Sequence, residues 1–378
     1  MSVSFTADRK ELLKAVEDAG RGCSSGGHVP ILRGLLVECE KDRAHFSGVD
    51  MDVYVSASCA ATTKGFKDTA RFVLEDARKT AAILKTLDDG PVEVSASKEA
   101  VAFEQAGTTL RLGVLAEEDF PKGWNVVAPD TAFEVRVADF LGAWKRVGKM
   151  YSGDESRPVL TAVHVRSEQY RVFLEATDSF RLAFDWIQAK LSGTGTASAL
   201  IRGGTLELAA RFAKRDADGL VSFKFDADVA VIEVDGVHIA SRLVQGQFPD
   251  VAKLLPDKFE GDFDLDAAAA VKACRRVEKL KGTRFPMRLT VPTVAGSVRF
   301  WTFDDAKLVD TDQKVPSARA SKNKAEFDIG LNPGFFADAI ESLDSDTVTV
   351  KYISPQRPLL VVNGKEDTGV LQMPIKLA

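Results

Sequence analysis

The sequence predicts an α+β protein made of three tandem copies of one unit, each with two helices backing antiparallel sheet. Three observations lead there: a self-match at a constant offset, a helix-and-strand pattern that recurs with it, and a length of 378 residues, which suits several domains better than one core. Phe5 and Phe133 each open an amphipathic segment, Leu13 matches Leu141, and PILRGLLVE from Pro30 matches PVLTAVHVR from Pro158. Asp50 pairs with Asp178, Leu84 with Phe212, and Phe120-Pro121 with Phe248-Pro249; every offset is 128, so no insertion separates these two copies. A third copy is fainter. Phe263 opens FDLDAAAAVKACRRVEKL, Asp305 stands in RFWTFDDAKLV, and Met373-Pro374 repeats the Phe-Pro closure, at offsets drifting between about 125 and 130. Domains are expected at 1–127, 128–257 and 258–378.

The first helix of copy one is expected near Ala7 to Gly20, with Leu12, Leu13 and Val16 on one face; Phe140, Leu141, Trp144 and Val147 repeat that spacing in copy two. Second helices are expected at Glu75–Leu87, Gly204–Asp216 and Asn332–Leu343, the last opening with Asn-Pro, a cap followed by a first-turn proline. Period-2 or β-branched runs such as VEVSAS, LVSFKF, VAVIEV and DTVTVKYI supply the strands.

Apolar residues at 45% and charged residues at 28% are ordinary for a soluble globular chain. Lys plus Arg number 50 against 55 Asp plus Glu, so the net charge of -5 exerts no bulk pull towards nucleic acid or an anionic membrane. Cys23, Cys39, Cys59 and Cys274 form no CxxC pair, and His28, His45, His164 and His238 are scattered, which argues against zinc or a disulfide framework. The start, MSVSFTADRKELL, lacks a basic stretch followed by an apolar one, and no apolar run approaches the ~18 residues of a membrane span, so a cytoplasmic protein without a membrane partner is expected.

The total conceals an asymmetry. Windows at 7–21, 75–87, 137–150, 204–216, 265–284 and 332–343 carry +6 together, leaving -11 for the rest. Their cations include Lys10, Lys14, Arg78, Lys79, Lys145, Arg146, Lys149, Arg211, Lys214, Lys272, Arg275, Arg276 and Lys279. They are either solvated helix faces or one basic surface that holds nucleic acid by its backbone without reading bases.

Motifs for chemistry are sparse. Asp50 and Asp52 form a DxD that could hold Mg²⁺, but the repeat partner Asp178 favours a turn carboxylate that caps backbone N–H groups. Ser24-Ser25-Gly26-Gly27 lacks the GK[ST] of a phosphate loop and precedes a strand, which makes it a loop. No nucleophile elbow or HExxH is present, and Cys39 and Cys59 fall in strand-like segments. No cofactor and no catalytic residue is expected; a constellation assembled only in space is the surviving enzyme reading.

ATDSFRLA from Ala176, GQFPD from Gly246 followed by KLLP, and a terminal LQMPIKLA stand in this order across the three copies. They resemble ATDGHRLA, G-[RQ]-[FY]-PD...-LP and MP-[MV]-RL of the bacterial DNA polymerase III β subunit, the sliding clamp, over the whole chain. The resemblance implies the DNA clamp fold: a head-to-tail homodimeric ring of six domains, helices lining a hole around duplex DNA and sheets outside. It implies a non-catalytic processivity factor that tethers a polymerase to double-stranded DNA without sequence preference. The implied partners are a second copy, the polymerase catalytic subunit, a separate clamp loader and other proteins carrying clamp-binding peptides. An alternative within the same fold is a specialised or paralogous clamp that binds such peptides without a general replicative role.

By the same resemblance, a peptide pocket would use Leu160, Thr177, Ser179, Phe180, Arg181 and Leu182, then Pro249, Lys253 and Leu254, then Pro358 with Met373, Pro374, Ile375, Lys376 and Leu377. The edge strand TTLRLGV would offer Leu110 and Leu112 to a neighbouring third domain, and the family's apolar helix end opposite them aligns with Arg275-Arg276. This chain departs from the family where Gly-His is Ser179-Phe180 and where arginines are Lys253 and Lys376, so an altered peptide preference is expected. It departs again where a loop arginine is replaced by SSGG and where tyrosines after Arg157 are Pro158 and Val159.

Overall fold

The computed structural model describes residues 3–376 except 25, 27–28, 65–69, 125–130, 194–195, 282–285, 294–295, 303–310, 318–325 and 366. One order of elements recurs three times, the third without a counterpart of the short fifth strand among the described residues. It runs first as β1 (Val3–Asp8), α1 (Arg9–Ala19), β2 (Leu35–Cys39), β3 (Arg43–Val49), β4 (Val53–Ala60), β5 (Thr62–Lys64), β6 (Ala70–Leu74), α2 (Ala77–Thr86), β7 (Pro91–Ala96), β8 (Ala100–Gln105) and β9 (Thr108–Leu115). It runs again as β10 (Thr131–Arg136), α3 (Val137–Val147), β11 (Ala162–Glu168), β12 (Arg171–Thr177), β13 (Arg181–Gln188), β14 (Lys190–Gly193), β15 (Thr196–Arg202), α4 (Gly203–Ala213), β16 (Leu220–Phe225), β17 (Val229–Val234) and β18 (Val237–Arg242). After a short helix, α5 (Val251–Leu254), come β19 (Gly261–Asp266), α6 (Ala267–Lys281), β20 (Met287–Val291), β21 (Gly296–Thr302), β22 (Thr311–Ser317), β23 (Phe327–Leu331), α7 (Pro333–Ser342), β24 (Thr347–Tyr352), β25 (Leu359–Val362) and β26 (Gly369–Gln372).

The helices lie where expected but are shorter, and their caps explain the difference. Asp8 stays outside α1, its carboxylate accepting from the N–H groups of Lys10 at 2.8 Å and Glu11 at 3.3 Å. Asp76 does the same for Arg78 and Lys79 ahead of α2, and Asn332 accepts from Phe335 at 3.0 Å ahead of α7, with Pro333 at its first position. The helix expected to reach Asp216 stops at Ala213, because the N–H groups of Arg215 and Asp216 turn back to carbonyls three residues earlier. Asp305, the third-copy landmark, lies outside the described residues.

The chain forms two compact units, residues 1–137 with 191–194 and 208–243, and residues 138–190 with 195–207 and 244–378; the division passes through the middle repeat. Fourteen strands of the first unit pair in the order β14-β10-β16-β17-β18-β4-β3-β2-β6-β9-β8-β7-β1-β5. The second unit holds an eight-stranded sheet, β15-β11-β12-β13-β26-β25-β24-β19, and a four-stranded one, β22-β21-β20-β23. The phenylalanines that open the copies, Phe5, Phe133 and Phe263, are all fully buried, at matching registers opposite Val94, Phe223 and Val350. Their burial anchors each opening strand to the sheet that follows the second helix.

Repeats are joined by one device used twice. In the first unit β4 pairs antiparallel with β18, Tyr54 opposite Ala240 and Val55 opposite Ile239. In the second β13 pairs antiparallel with β26, Arg181 opposite Gln372 and Leu182 opposite Leu371. β4 and β13 hold the same place in consecutive repeats, as do β18 and β26. Two strands of these kinds are left over. β22, the third-repeat counterpart of β4 and β13, ends its sheet. β9, the first-repeat counterpart of β18 and β26, pairs with β8 along Thr108–Gly113 but with β6 only through Val114 and Leu115. Among the described residues the outer edge of Thr108–Leu112 therefore has no strand partner. No helix among the described residues is long and apolar enough to cross a membrane.

Candidate functional site

In the second unit, the residues of the expected pocket gather around the β13–β26 joint. The turn from Thr177 to Arg181 is held by its own side chains: Asp178 Oδ1 accepts from the N–H groups of Phe180 at 2.9 Å and Arg181 at 3.0 Å. Thr177 Oγ1 accepts from Ser179 N and donates to the Arg181 carbonyl at 2.7 Å. Ser179 takes φ of +79°, a conformation that favours glycine. The Asp50 turn repeats the design, Oδ1 accepting from Asp52 N and Val53 N at 2.8 Å each. Both aspartates are thus turn carboxylates, as the repeat suggested.

The floor is apolar. Leu182 is buried in a cluster with Leu371, Leu360, Val251 and Phe248, and Val159 packs against its edge. Above it Phe180, Leu254 and Met373 remain 57%, 47% and 45% exposed, large apolar side chains presented to solvent around one joint. Met373 N donates to the Phe180 carbonyl at 2.8 Å, and Ile375 N donates to Gly330 O at 2.8 Å, which places the terminal segment between those two points. Thr177 is buried, and Leu160, Pro358, Pro374 and Ile375 are half-buried. Pro249, Lys253 and Lys376 are exposed, Lys253 pairing with Asp250 at 3.0 Å. Leu377 lies outside the described residues.

Residues not anticipated complete this face. Phe335 of α7 lies 6.2 Å from the Phe180 ring, centroid to centroid, and the Arg181 guanidinium is 4.3 Å from its centre. Arg181 also meets Asp178 at 3.0 Å and Asp338 at 2.8 Å, and donates to the Lys149 carbonyl at 2.8 Å. Asp338 in turn accepts from Arg275 at 2.6 Å, and Glu341 receives Arg275 at 2.9 Å and Lys149 at 3.2 Å. Phe335, Asp338 and Glu341 recur every three residues, a helical stripe visible in the sequence but meaningful only once its partners are known.

The expected basic residues fall into two groups. Several are tied to carboxylates distant in sequence: Lys10 to Asp89 at 2.6 Å, Lys14 to Asp235 at 3.3 Å, Lys145 to Asp344 at 2.5 Å, Arg146 to Asp185 at 2.5 Å, and Lys149 and Arg275 as above. Lys79 pairs with Glu75 at 3.3 Å, and Arg276 donates to Gln313 at 3.0 Å. Arg78, Lys214, Lys272 and Lys279 present exposed side chains, as does Arg211, which has a partner of its own; Lys214 follows the end of α4. Arg146 and Arg275 are therefore structural ion-pair residues first. Burial pushes Asp185 above the ordinary carboxylate range, and Arg146 reverses only part of that. Of the expected interface pair, Leu110 is half-buried, whereas Leu112 is only 9% exposed and belongs to its own chain's core.

Comparison with known proteins gives three consecutive matches along the chain. Family models of the DNA polymerase III beta subunit match it along almost its full length: the N-terminal domain at residues 3–124, the central domain at 137–250 and the C-terminal domain at 252–376. The chain is 26% identical to the beta sliding clamp homolog GriR of Streptomyces muensis, over 98% of this chain and 99% of that one. It is 26% identical to the beta sliding clamp of Streptomyces coelicolor over the full length of both. The DNA polymerase sliding clamp of Bacillus subtilis superposes with a TM-score of 0.91 at 21% identity, and a Pseudomonas aeruginosa sliding clamp bound to griselimycin with 0.88 at 18%, each covering 100% of both chains.

Proposed function

The chain belongs to the DNA polymerase III beta-subunit family, the sliding clamps that act as non-catalytic processivity factors in DNA replication, and we propose that two copies close head to tail around duplex DNA. The observation that carries this reading is the joint used twice within the chain, with one unused strand of each kind left over: β22, and the Thr108–Leu112 edge of β9. Each left-over edge suits the other on a second copy, and covering both removes two exposed templates for misassembly. Leu110 on that edge is the apolar contact of the seam.

On this reading the domains are 1–127, 128–257 and 258–378, and the protein works in the cytoplasm with the polymerase catalytic subunit and a separate loader. The exposed cations Arg78, Arg211, Lys214, Lys272 and Lys279 touch phosphates diffusely, so the ring follows DNA without reading it. The groove lined by Phe180, Leu182, Leu254 and Met373 takes an extended clamp-binding peptide. The protein itself carries no catalytic step.

Two measurements test this. The 41.0 kDa chain should run at about twice that mass in solution. With a matching loader it should remain on nicked circular DNA and leave linear DNA; a protein that never stays on circles is not a tether. The specialised-clamp reading is favoured by one observation, Phe180 standing where the family motif has histidine. Peptide binding without retention on circles would establish it.

A further inference from the structure

On one face of the eight-stranded sheet in the second unit a hydroxyl, an imidazole and a carboxylate stand in a row. Ser198 lies on β15, His164 on β11 and Glu175 on β12, three neighbouring strands. His164 is directly opposite Glu175, and its partner on β15 is Leu200, two residues from Ser198. Cross-strand pairing thereby unites groups that are 11 and 34 residues apart in the chain. Glu175 Oε2 is 2.7 Å from His164 Nδ1, and Ser198 Oγ is 2.8 Å from Nε2.

The carboxylate decides the tautomer. It can only accept, so Nδ1 carries the proton and Nε2 turns its lone pair to the Ser198 hydroxyl, which donates to it. Phe248 lies 5.1 Å from the imidazole, centroid to centroid, and the His164 and Glu175 side chains are only 15% and 9% exposed, so the base is held in place. Arg166, opposite Ser198 on β11, reaches the other oxygen of Glu175 at 3.8 Å. Ser198 itself is exposed. A hydroxyl bonded to a base whose far nitrogen is oriented by a third group is the arrangement that activates serine for attack on a carbonyl carbon. Ser198 stands within a strand and not on the strand-to-helix turn that hangs a serine over paired oxyanion donors. Attack then calls for an acyl donor with a good leaving group.

We propose that Ser198 is an acyl-acceptor site, which takes the acyl group of a thioester with His164 as general base and Glu175 as its positioning residue. Ser198 Oγ bonds to the carbonyl carbon as the carbon–sulfur bond breaks. The hydroxyl proton passes to His164 Nε2 and on to the departing thiolate, leaving an O-acyl serine, a free thiol and a neutral imidazole. The chain is the acceptor in this step and turns nothing over. Phe248, against His164, and Leu200, next on that face of β15, belong to the cluster around Leu182, so the acyl chain has an apolar border to lie along. The proposal is independent of the tethering reading.

The test treats the full chain with 4-nitrophenyl acetate, and separately with a small acetyl thioester, following release of the leaving group and locating acetyl groups by peptide mass. Wild type should release one equivalent per chain and carry the acetyl group on Ser198. Exposed Ser156, bonded to the Asp154 carboxylate at 2.6 Å, is an internal control in the same digest and should stay unmodified. Ser198→Ala should abolish the fast equivalent, and His164→Ala should slow it about 100-fold, with added imidazole restoring part of the rate. Glu175→Gln should slow it about tenfold or more and Glu175→Asp recover part of the loss, with melting curves like wild type. Acetylation of Ser198 no faster than that of Ser156, or equal release by wild type and S198A, overturns the proposal, and neither comparison depends on whether H164A folds. Release of many equivalents that S198A loses marks a hydrolase and overturns the acceptor reading.

Discussion

Asp338 receives Arg181 on one oxygen and Arg275 on the other, and so fastens the Phe180 turn of the second repeat to α7 of the third. Burial by itself would raise its pKa, but these two hydrogen bonds outweigh burial and leave it below the ordinary carboxylate value; Glu341, beside Arg275 and Lys149, is lowered for the same reason. A carboxylate depressed in the folded state contributes stability above its unfolded pKa and loses it as pH falls through the folded value. Melting temperature should therefore drop in the acid range below about pH 4, and Asp338→Asn should cost about 2 kcal/mol at pH 7 while flattening that acid limb. An unchanged acid limb in the variant would remove Asp338 from the account. The thiols give a second expectation. Burial pushes Cys23, Cys39 and Cys59 up to about 12 and raises Cys274 as well, so iodoacetamide at pH 7.5 should label none of the four until the chain is unfolded. The Asp338 pairing was not legible in the sequence, because Arg181 and Asp338 stand 157 residues apart, whereas Cys39 and Cys59 already stood in strand-like segments.

At the scale of elements the sequence was far more informative. Fixed offsets located the helices and Asn332 marked the start of the last, whereas Asp8 and Asp76, expected inside their helices, cap them from outside. The Asp50 and Asp178 turns were readable because each aspartate acts within a few residues of itself. Replacing Asp178 with Ala removes acceptors for two backbone N–H groups and should cost about 1–3 kcal/mol; the same change at Asp50 should cost a similar amount, which calorimetry can compare. Strand edges were harder. The family resemblance offered both Leu110 and Leu112 of TTLRLGV to a second copy, and within the single chain Leu112 is only 9% exposed while Leu110 is half-buried. Leu110→Asp should then suffice to hold the protein at single-chain mass by light scattering, with peptide binding at the Phe180 groove retained. A dimer that survives the change would place the seam elsewhere.

For the whole molecule, the charge asymmetry could be counted but not interpreted from the sequence. Net charge is -5 while the six helix windows carry +6, and the structure separates the cations tied to Asp89, Asp235, Asp344, Asp185 and Asp338 from the remainder. A charge total cannot make that division, because ion pairing depends on which loops return to which helices. The recurring strand joint, by contrast, reaches beyond this chain. If six such joints make a closed circle, the number of chains in it is set only by how many repeats each polypeptide carries. A version trimmed of one whole repeat would keep one unused strand of each kind and should assemble in threes instead of twos, a change of stoichiometry readable as mass without any new contact being designed.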